Sequence, residues 1–177
     1  PFGEYVPLSW LLPWRWFVPP GVAFFRPGAG HQPLCLAAGP LGVLICYEAI
    51  FPEIAREAVE GGARLLVNIT NDAWFGRTAA PYQHISMAAL RAVENRVPIA
   101  RSANTGISGF IHPSGRILQA SEIFTKAIVS GTIYLKESRT FYTRFGDLFA
   151  YLCLGYSVWI LVYIRLRRES RVERNRE

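Results

Sequence analysis

Cysteine is scarce in this sequence: Cys35, Cys46 and Cys153 are the only three in a chain of 177 residues. Their spacing fits no zinc-type ligand set, and an odd count closes no disulfide framework, so neither a structural metal nor a disulfide scaffold is expected. Methionine is scarcer still. Met87 stands alone and the chain opens on Pro1, so the natural start is expected upstream, and no signal segment is recognisable. Clusters of Lys and Arg interleaved with aromatic residues are also missing. The net charge of +6 arises from 19 basic against 13 acidic residues, and half of that excess falls in 165–177, where six arginines face three glutamates. A nucleic-acid surface therefore does not explain the charge. What the chain has in quantity is apolar side chain, 51% of all residues. That excludes disorder and allows one ordinary domain with a sizeable core.

Charge is absent from 148–164 (LFAYLCLGYSVWILVYI). As a helix these residues would reach about 25 Å, at the short end of the roughly 17–25 residues that cross a bilayer. A buried core helix is the competing reading. Tyr151, Tyr156, Trp159 and Tyr163 spread toward both ends and an arginine run follows, as at the two interfaces of a membrane span. Cationic flanks stay cytoplasmic. Residues 139–147 are thus expected to be a linker, 148–164 a transmembrane helix and 165–177 a basic cytoplasmic tail. The part before Asp147 would face the periplasm or outer surface of a bacterial cytoplasmic (inner) membrane.

Residues 1–138 read as α/β. Short apolar runs at 34–36 and 41–46, parted by Gly39-Pro40, suit two strands around a turn. Pro52 opens a helix that buries Ile54, Ala55, Ala58 and Val59, and Gly61-Gly62 ends it. A strand at 64–69 follows. A second helix at 81–96 carries Ile85, Ala88, Ala89, Ala92 and Val93 on one face. Further strands are expected at 98–102 and 107–112, a hairpin turn at Pro113-Ser114-Gly115, and a final strand at 127–135. Alternating strands and helices followed by hairpins indicate a mixed sheet covered by helices. The stretch 5–30, rich in Trp, Phe and Pro, reads as a long loop, either packed on the domain or meeting lipid through its aromatics.

Cys46 ends the run LGVLIC and precedes Tyr47, Glu48 and the helix at Pro52. A cysteine closing an apolar strand is most often a small core residue. At a strand-to-helix turn, however, its thiol can enter a cleft beside backbone N–H groups, which joins a nucleophile to an oxyanion donor. A thiol with a pKa of about 8.5 needs a base or a cation to react at neutral pH. His31, His84 and His112 are scattered and no Cys/His pairing can be read from their spacing. Glu4 and Glu48 are the carboxylates near candidate turns.

PFGEYVPL, GVLICYEAIFPEIAR, LLVNITNDAWFG and PYQHISMAALRAVENRVPIARSANTGISGFIHPSGRI occur in that order. Together they resemble the second half of a carbon-nitrogen hydrolase (nitrilase) domain, and within that superfamily the bacterial apolipoprotein N-acyltransferases. The likeness continues through Thr140, Tyr142, Arg144, Gly146 and Asp147 into the last helix. It implies the carboxy-terminal part of a four-layer αββα sandwich with a Glu-Lys-Cys triad, followed by one transmembrane helix. Cys46 matches the nucleophile and Glu4 an additional essential glutamate. Tyr47 and Glu48 match the residues that shape the pocket and oxyanion site. The triad lysine is expected a few residues before Pro1 and the triad glutamate much earlier; Lys126 and Lys136 match no motif. Asn71, Asp72 and Trp74 are expected in the pocket wall, shaped by an Asx-type turn, and Arg91, Glu94, Asn95 and Arg101 in a structural polar network.

The resemblance further implies a phospholipid acyl donor, a diacylglyceryl apolipoprotein as acceptor, a membrane around the last helix, and a monomer without cofactor or metal. Two other readings compete. One is a nitrilase-type amidohydrolase, for which the apolar run at 148–164 would have no purpose. The other is a catalytically incompetent fragment that lacks the triad Glu and Lys and folds poorly alone.

Overall fold

A computed structural model describes residues 30–137 and 139–174. Six strands form one mixed sheet in sequence order: β1 (Leu34–Leu36), β2 (Gly39–Ile45), β3 (Leu65–Asn71), β4 (Ile99–Asn104), β5 (Gly109–Ile111) and β6 (Ile117–Leu118). The central β2, β3 and β4 are parallel, whereas β1, β5 and β6 join antiparallel. Parallel neighbours need crossovers. These are α1 (Pro52–Glu60) between β2 and β3, and α2 (Ala80–Asn95) between β3 and β4. Both step the same way across the sheet, so right-handed connection puts both helices on one face. There Leu44, Leu66, Ile99 and Ile111 meet Ala55, Ala58 and Val59 of α1 and Ile85, Ala88 and Ala92 of α2 in one buried core.

Local chemistry sets the ends of α1. Pro52 occupies a first-turn position where a missing N–H costs nothing. At the other end Gly62, at φ +107°, lets Ala63 N–H reach Ala58 O and its own N–H reach Val59 O, both at 3.0 Å. The turn at Pro113-Ser114-Gly115 joins β5 to β6 as expected, with Ile111 opposite Ile117 and His112 N–H bonded to Arg116 O at 2.9 Å.

The sheet carries helices on one face, which gives two of the four layers of the expected sandwich among the described residues. Alternation along β2 and β3 turns Leu44, Leu66, Asn68 and Thr70 toward the helices. Ile45 and Ile69 point the other way and are 63% and 53% exposed.

Two expectations need correction. The turn between β1 and β2 lies at Ala37-Ala38, and Gly39-Pro40 is already strand, with Pro40 opposite Cys35. Proline is tolerated there because Pro40 lies at the start of β2, before its pairing with β3 begins at Leu41. The segment 127–135 pairs with none of the described strands, and Ile128 is 99% exposed. A β-type pattern becomes a strand only where a neighbouring strand receives it.

The expected linker contains a short helix, α3 (Phe141–Phe145), capped by Thr140 Oγ1, which accepts from Thr143 N–H at 2.9 Å. α3 is fastened to the end of α2. Thr140 Oγ1 donates to Glu94 O at 2.6 Å and Thr143 Oγ1 donates to Asn95 Oδ1 at 2.9 Å. The last helix, α4 (Leu148–Arg174), continues through the basic residues, since arginine and glutamate favour helix and no Gly or Pro follows Gly155. Its window Leu148–Arg165 has a mean hydropathy of 1.6 and none of it is buried. At about 27 Å this window is long and apolar enough, by length and composition, to cross a membrane.

Candidate active site

β2 ends at Ile45, and the next residue turns sharply: Cys46 has φ +50°, a left-handed conformation that costs a residue with a Cβ about 1–3 kcal/mol. A 3-10 turn, Cys46–Ile50, leads on toward α1. The surroundings hold this turn in place. Glu48 Oε2 accepts from Ile45 N–H at 2.7 Å, and Arg91 Nη1 donates to Ile50 O at 2.8 Å. Asn68 Nδ2 donates to Leu44 O at 2.9 Å and to Cys46 O at 3.3 Å. His84 Nε2 also lies 3.3 Å from Cys46 O.

Beneath the turn lies a buried polar cluster drawn from three elements. Asn68 and Asp72 come from β3 and the residue after it, His84 from the first turns of α2, and Arg101 from β4. Arg101 donates through Nη1 to Asn68 Oδ1, through Nη2 to Asp72 Oδ2 at 2.7 Å, and through Nε to Ile107 O at 3.2 Å. The Asp72 and Arg101 side chains are fully buried, so each charge depends on the other for compensation. Asp72 Oδ1 accepts from Thr70 Oγ1 at 2.9 Å and lies 3.0 Å from His84 Nδ1. Gly106 passes so close to this carboxylate that a Cβ there would meet Asp72 Cβ and Cγ at 2.8 Å. Burial, and then the Arg101 charge, push the His84 pKa below its ordinary 6.5 against the pull of Asp72. The ring is accordingly neutral at pH 7. Burial also lowers the Arg101 pKa, against the opposing pull of Asp72.

An aromatic rim stands over the cluster. The Tyr47 and His84 rings lie 5.5 Å apart, and Phe75 meets His84 edge-on at 5.9 Å. These three, with Ile50, Gln83 and Met87, line a cleft of about 50 Å³. That is far below the roughly 300–1,000 Å³ of a drug-sized ligand site. A larger cavity of about 540 Å³ lies between the β5–β6 hairpin and residues 131–136, and none of Cys46, Tyr47, Glu48, Asn71, Asp72 and Trp74 lines it. Among the described residues no three His, Cys, Asp or Glu side chains gather as a metal would require.

The residues singled out in the sequence are distributed as follows. Cys46, Tyr47 and Glu48 share one turn; Tyr47 is half exposed, while the Glu48 carboxylate is engaged with Ile45 N–H. Asn71 Oδ1 closes an Asx turn on Ala73 N–H at 3.2 Å and receives Asn104 Nδ2 at 3.2 Å. Asp72 is buried under the turn, and Trp74, 85% exposed, lies away from the cleft. Glu4 lies outside the described residues, as does the loop at 5–30 apart from Gly30. The polar network foreseen for Arg91, Glu94, Asn95 and Arg101 is two networks: Arg91 pairs with Glu94 at 2.7 Å, and Arg101 belongs to the cluster with Asp72. Asn68 and His84 were not anticipated. A signal existed for His84, which falls on the same helical face as Ile85, Ala88 and Ala92 and so had to be buried.

A profile of the family described as carbon-nitrogen hydrolase matches residues 13–142. The apolipoprotein N-acyltransferase of Geobacter metallireducens is 49% identical over 170 residues, covering 96% of this chain and 32% of its own length. That of Thermotoga maritima is 36% identical over 150 residues, covering 84% and 30%. Among solved structures, the carbon-nitrogen hydrolase from Helicobacter pylori G27 superposes with a TM-score of 0.51 at 18% identity, over 59% of this chain and 45% of that one. This last is a likeness of fold. The chain spans about a third of the length of the curated relatives it matches. It belongs to the carbon-nitrogen hydrolase family, and the named relatives that match most of its length are apolipoprotein N-acyltransferases.

Proposed function

We propose that this chain supplies the nucleophile of an apolipoprotein N-acyltransferase, which carries an acyl group from a phospholipid through a thioester on Cys46 to the amino-terminal diacylglyceryl-cysteine of an apolipoprotein. The observation that carries this reading is Cys46 itself: a half-buried cysteine held at φ +50° on a turn fixed by Asn68 of β3 and by His84 and Arg91 of α2. Backbone strain over-determined by its surroundings is characteristic of reactive positions.

In this mechanism a glutamate base, expected upstream of Pro1, takes the thiol proton as Cys46 Sγ attacks the sn-1 ester carbonyl. The Tyr47 N–H, with an upstream lysine, stabilises the tetrahedral oxyanion. Collapse breaks the ester C–O bond, the leaving oxygen takes the proton from the glutamic acid, and lysophospholipid departs. The acceptor α-amine then attacks the thioester, a C–N bond replaces the C–S bond, and the proton returns through the glutamate to the thiol. Glu4 acts beside this triad, Glu48 keeps the turn in shape, and Asn71, Asp72 and Trp74 belong to the surrounding loop.

Residues 1–138 form the catalytic part, 139–147 the linker, 148–164 the membrane span and 165–177 the cytoplasmic tail. A bilayer tether keeps the thiol where both lipid substrates reside. The test uses protein at the full length of its relatives, reconstituted in vesicles whose phospholipid carries an alkyne-tagged sn-1 chain. The tag should appear on the protein, be released by neutral hydroxylamine as thioesters are, and be absent from Cys46→Ala. A tag that persists in Cys46→Ala defeats the assignment. Transfer of the tagged acyl group to water, with none to an added lipopeptide amine, would instead favour an amidohydrolase-like enzyme.

A further inference from the structure

Two side-chain donors converge on one backbone oxygen: Asn68 Nδ2 and His84 Nε2 each lie 3.3 Å from Cys46 O. This oxygen belongs to the peptide that joins Cys46 to Tyr47. A trans peptide is planar, so its C=O and its N–H point in opposite directions. Whatever holds the Cys46 carbonyl therefore aims the Tyr47 N–H. Hydrogen bonds to the carbonyl also polarise the amide and strengthen its N–H as a donor.

We infer that Asn68 and His84 are positioning residues that act through the Cys46 carbonyl to aim the Tyr47 N–H at the reacting carbonyl of the substrate. This rests on the reading of Cys46 as nucleophile.

The cluster fixes both donors in the required state. Asn68 is fully buried and its Oδ1 receives Arg101 Nη1. Reversing the amide would turn its NH₂ toward the guanidinium, so Nδ2 must face Leu44 O and Cys46 O. His84 Nδ1 lies 3.1 Å from Arg101 Nη2 and 3.0 Å from Asp72 Oδ1, a donor and an acceptor, whereas Nε2 faces the Cys46 carbonyl, which only accepts. The neutral ring that satisfies this carbonyl carries its proton on Nε2, with Nδ1 accepting from Arg101; a charged ring carries one there as well. Asp72 Oδ2 accepts from the same Nη2 at 2.7 Å and holds the guanidinium in place. His84 is 3% exposed and Asp72 is 1% exposed, so water does not substitute for these contacts.

Two rates at Cys46 separate this role from a general structural one. Acylation by a p-nitrophenyl ester passes through a tetrahedral oxyanion, whereas alkylation by iodoacetamide displaces iodide at a saturated carbon and forms none. Both are measured on detergent-solubilised protein at the full length of its relatives. In His84→Leu, acylation should fall by about 10- to 100-fold, below the roughly 100- to 1,000-fold cost of removing an oxyanion donor because the Tyr47 N–H is misaimed rather than lost, while alkylation holds at the wild-type rate. His84→Gln, which restores a side-chain N–H, should recover most of the acylation. If both rates fall together in His84→Leu and His84→Gln alike, or if acylation is unchanged, the positioning role is wrong. Wild-type protein that is acylated nowhere, or at a residue other than Cys46, overturns the underlying reading and is recognised before any His84 variant is compared.

Discussion

Arg101 and Asp72 form an ion pair sealed from solvent, and such a pair stabilises only while both members remain. Replacing Arg101 by Met leaves a buried carboxylate without compensation, and should cost on the order of 3–5 kcal/mol, read as a lower urea midpoint. The pH dependence follows from His84, which faces Asp72, Arg101 and the Cys46 carbonyl. Its folded pKa lies below 6.5 because of burial first and Arg101 second, so near that pH the unfolded chain binds more protons than the folded one. The stabilisation that goes with a neutral ring is complete above about pH 6.5 and declines as pH falls through the lower folded value. Melting temperatures between pH 7.5 and 5 should therefore drop, and His84→Gln should lack that part of the drop. Cys46 was legible in the sequence because CYE, NDAWFG and ANTG stand in a recognisable order. The pairing of His84 with the Cys46 carbonyl was not. These residues lie 38 apart, and they meet only because α2 crosses back over the sheet beside the end of β2.

At the scale of elements, helices α1 and α2 and strands β2 to β5 follow from apolar periodicity and from their Pro and Gly boundaries. What periodicity does not carry is the partner, which is why 127–135 has a strand pattern without a strand. For Arg91 and Asn95 a structural polar role was legible but the partners were not, since Ile50 O and Thr143 Oγ1 lie far away in the chain. Thr143→Val tests one of these contacts. It leaves Asn95 Oδ1 without its donor in a fully buried position and should cost about 1–3 kcal/mol, with faster amide exchange in α3 than in α1 as the local signature. Leu154→Arg tests α4. A charge near the centre of a span opposes insertion by about 2.5–3.5 kcal/mol; the variant should lose retention in membranes after alkaline extraction, whereas a surface helix would tolerate it.

For the whole molecule, the sheet has a helical cover on one face and exposed Ile45 and Ile69 on the other. An apolar face of this kind promotes association. Expressed as these 177 residues alone, the protein should bind an apolar dye and elute from size exclusion in detergent as a mixture of oligomers; a sharp monomer peak would contradict this. The helix-on-sheet half of the expected sandwich could be read from alternating strands and helices; the remaining layers rest on resemblance, because the described residues form a single sheet. One helix joins the two ends of the functional argument. α2 presents His84 to the Cys46 turn and, eleven residues on, Asn95 to Thr143 of α3, a run of roughly 16 Å. Because α3 leads directly into α4, α2 is a spacer of fixed length. The Cys46 turn and the root of α4 are therefore linked through hydrogen bonds at the two ends of one rigid helix.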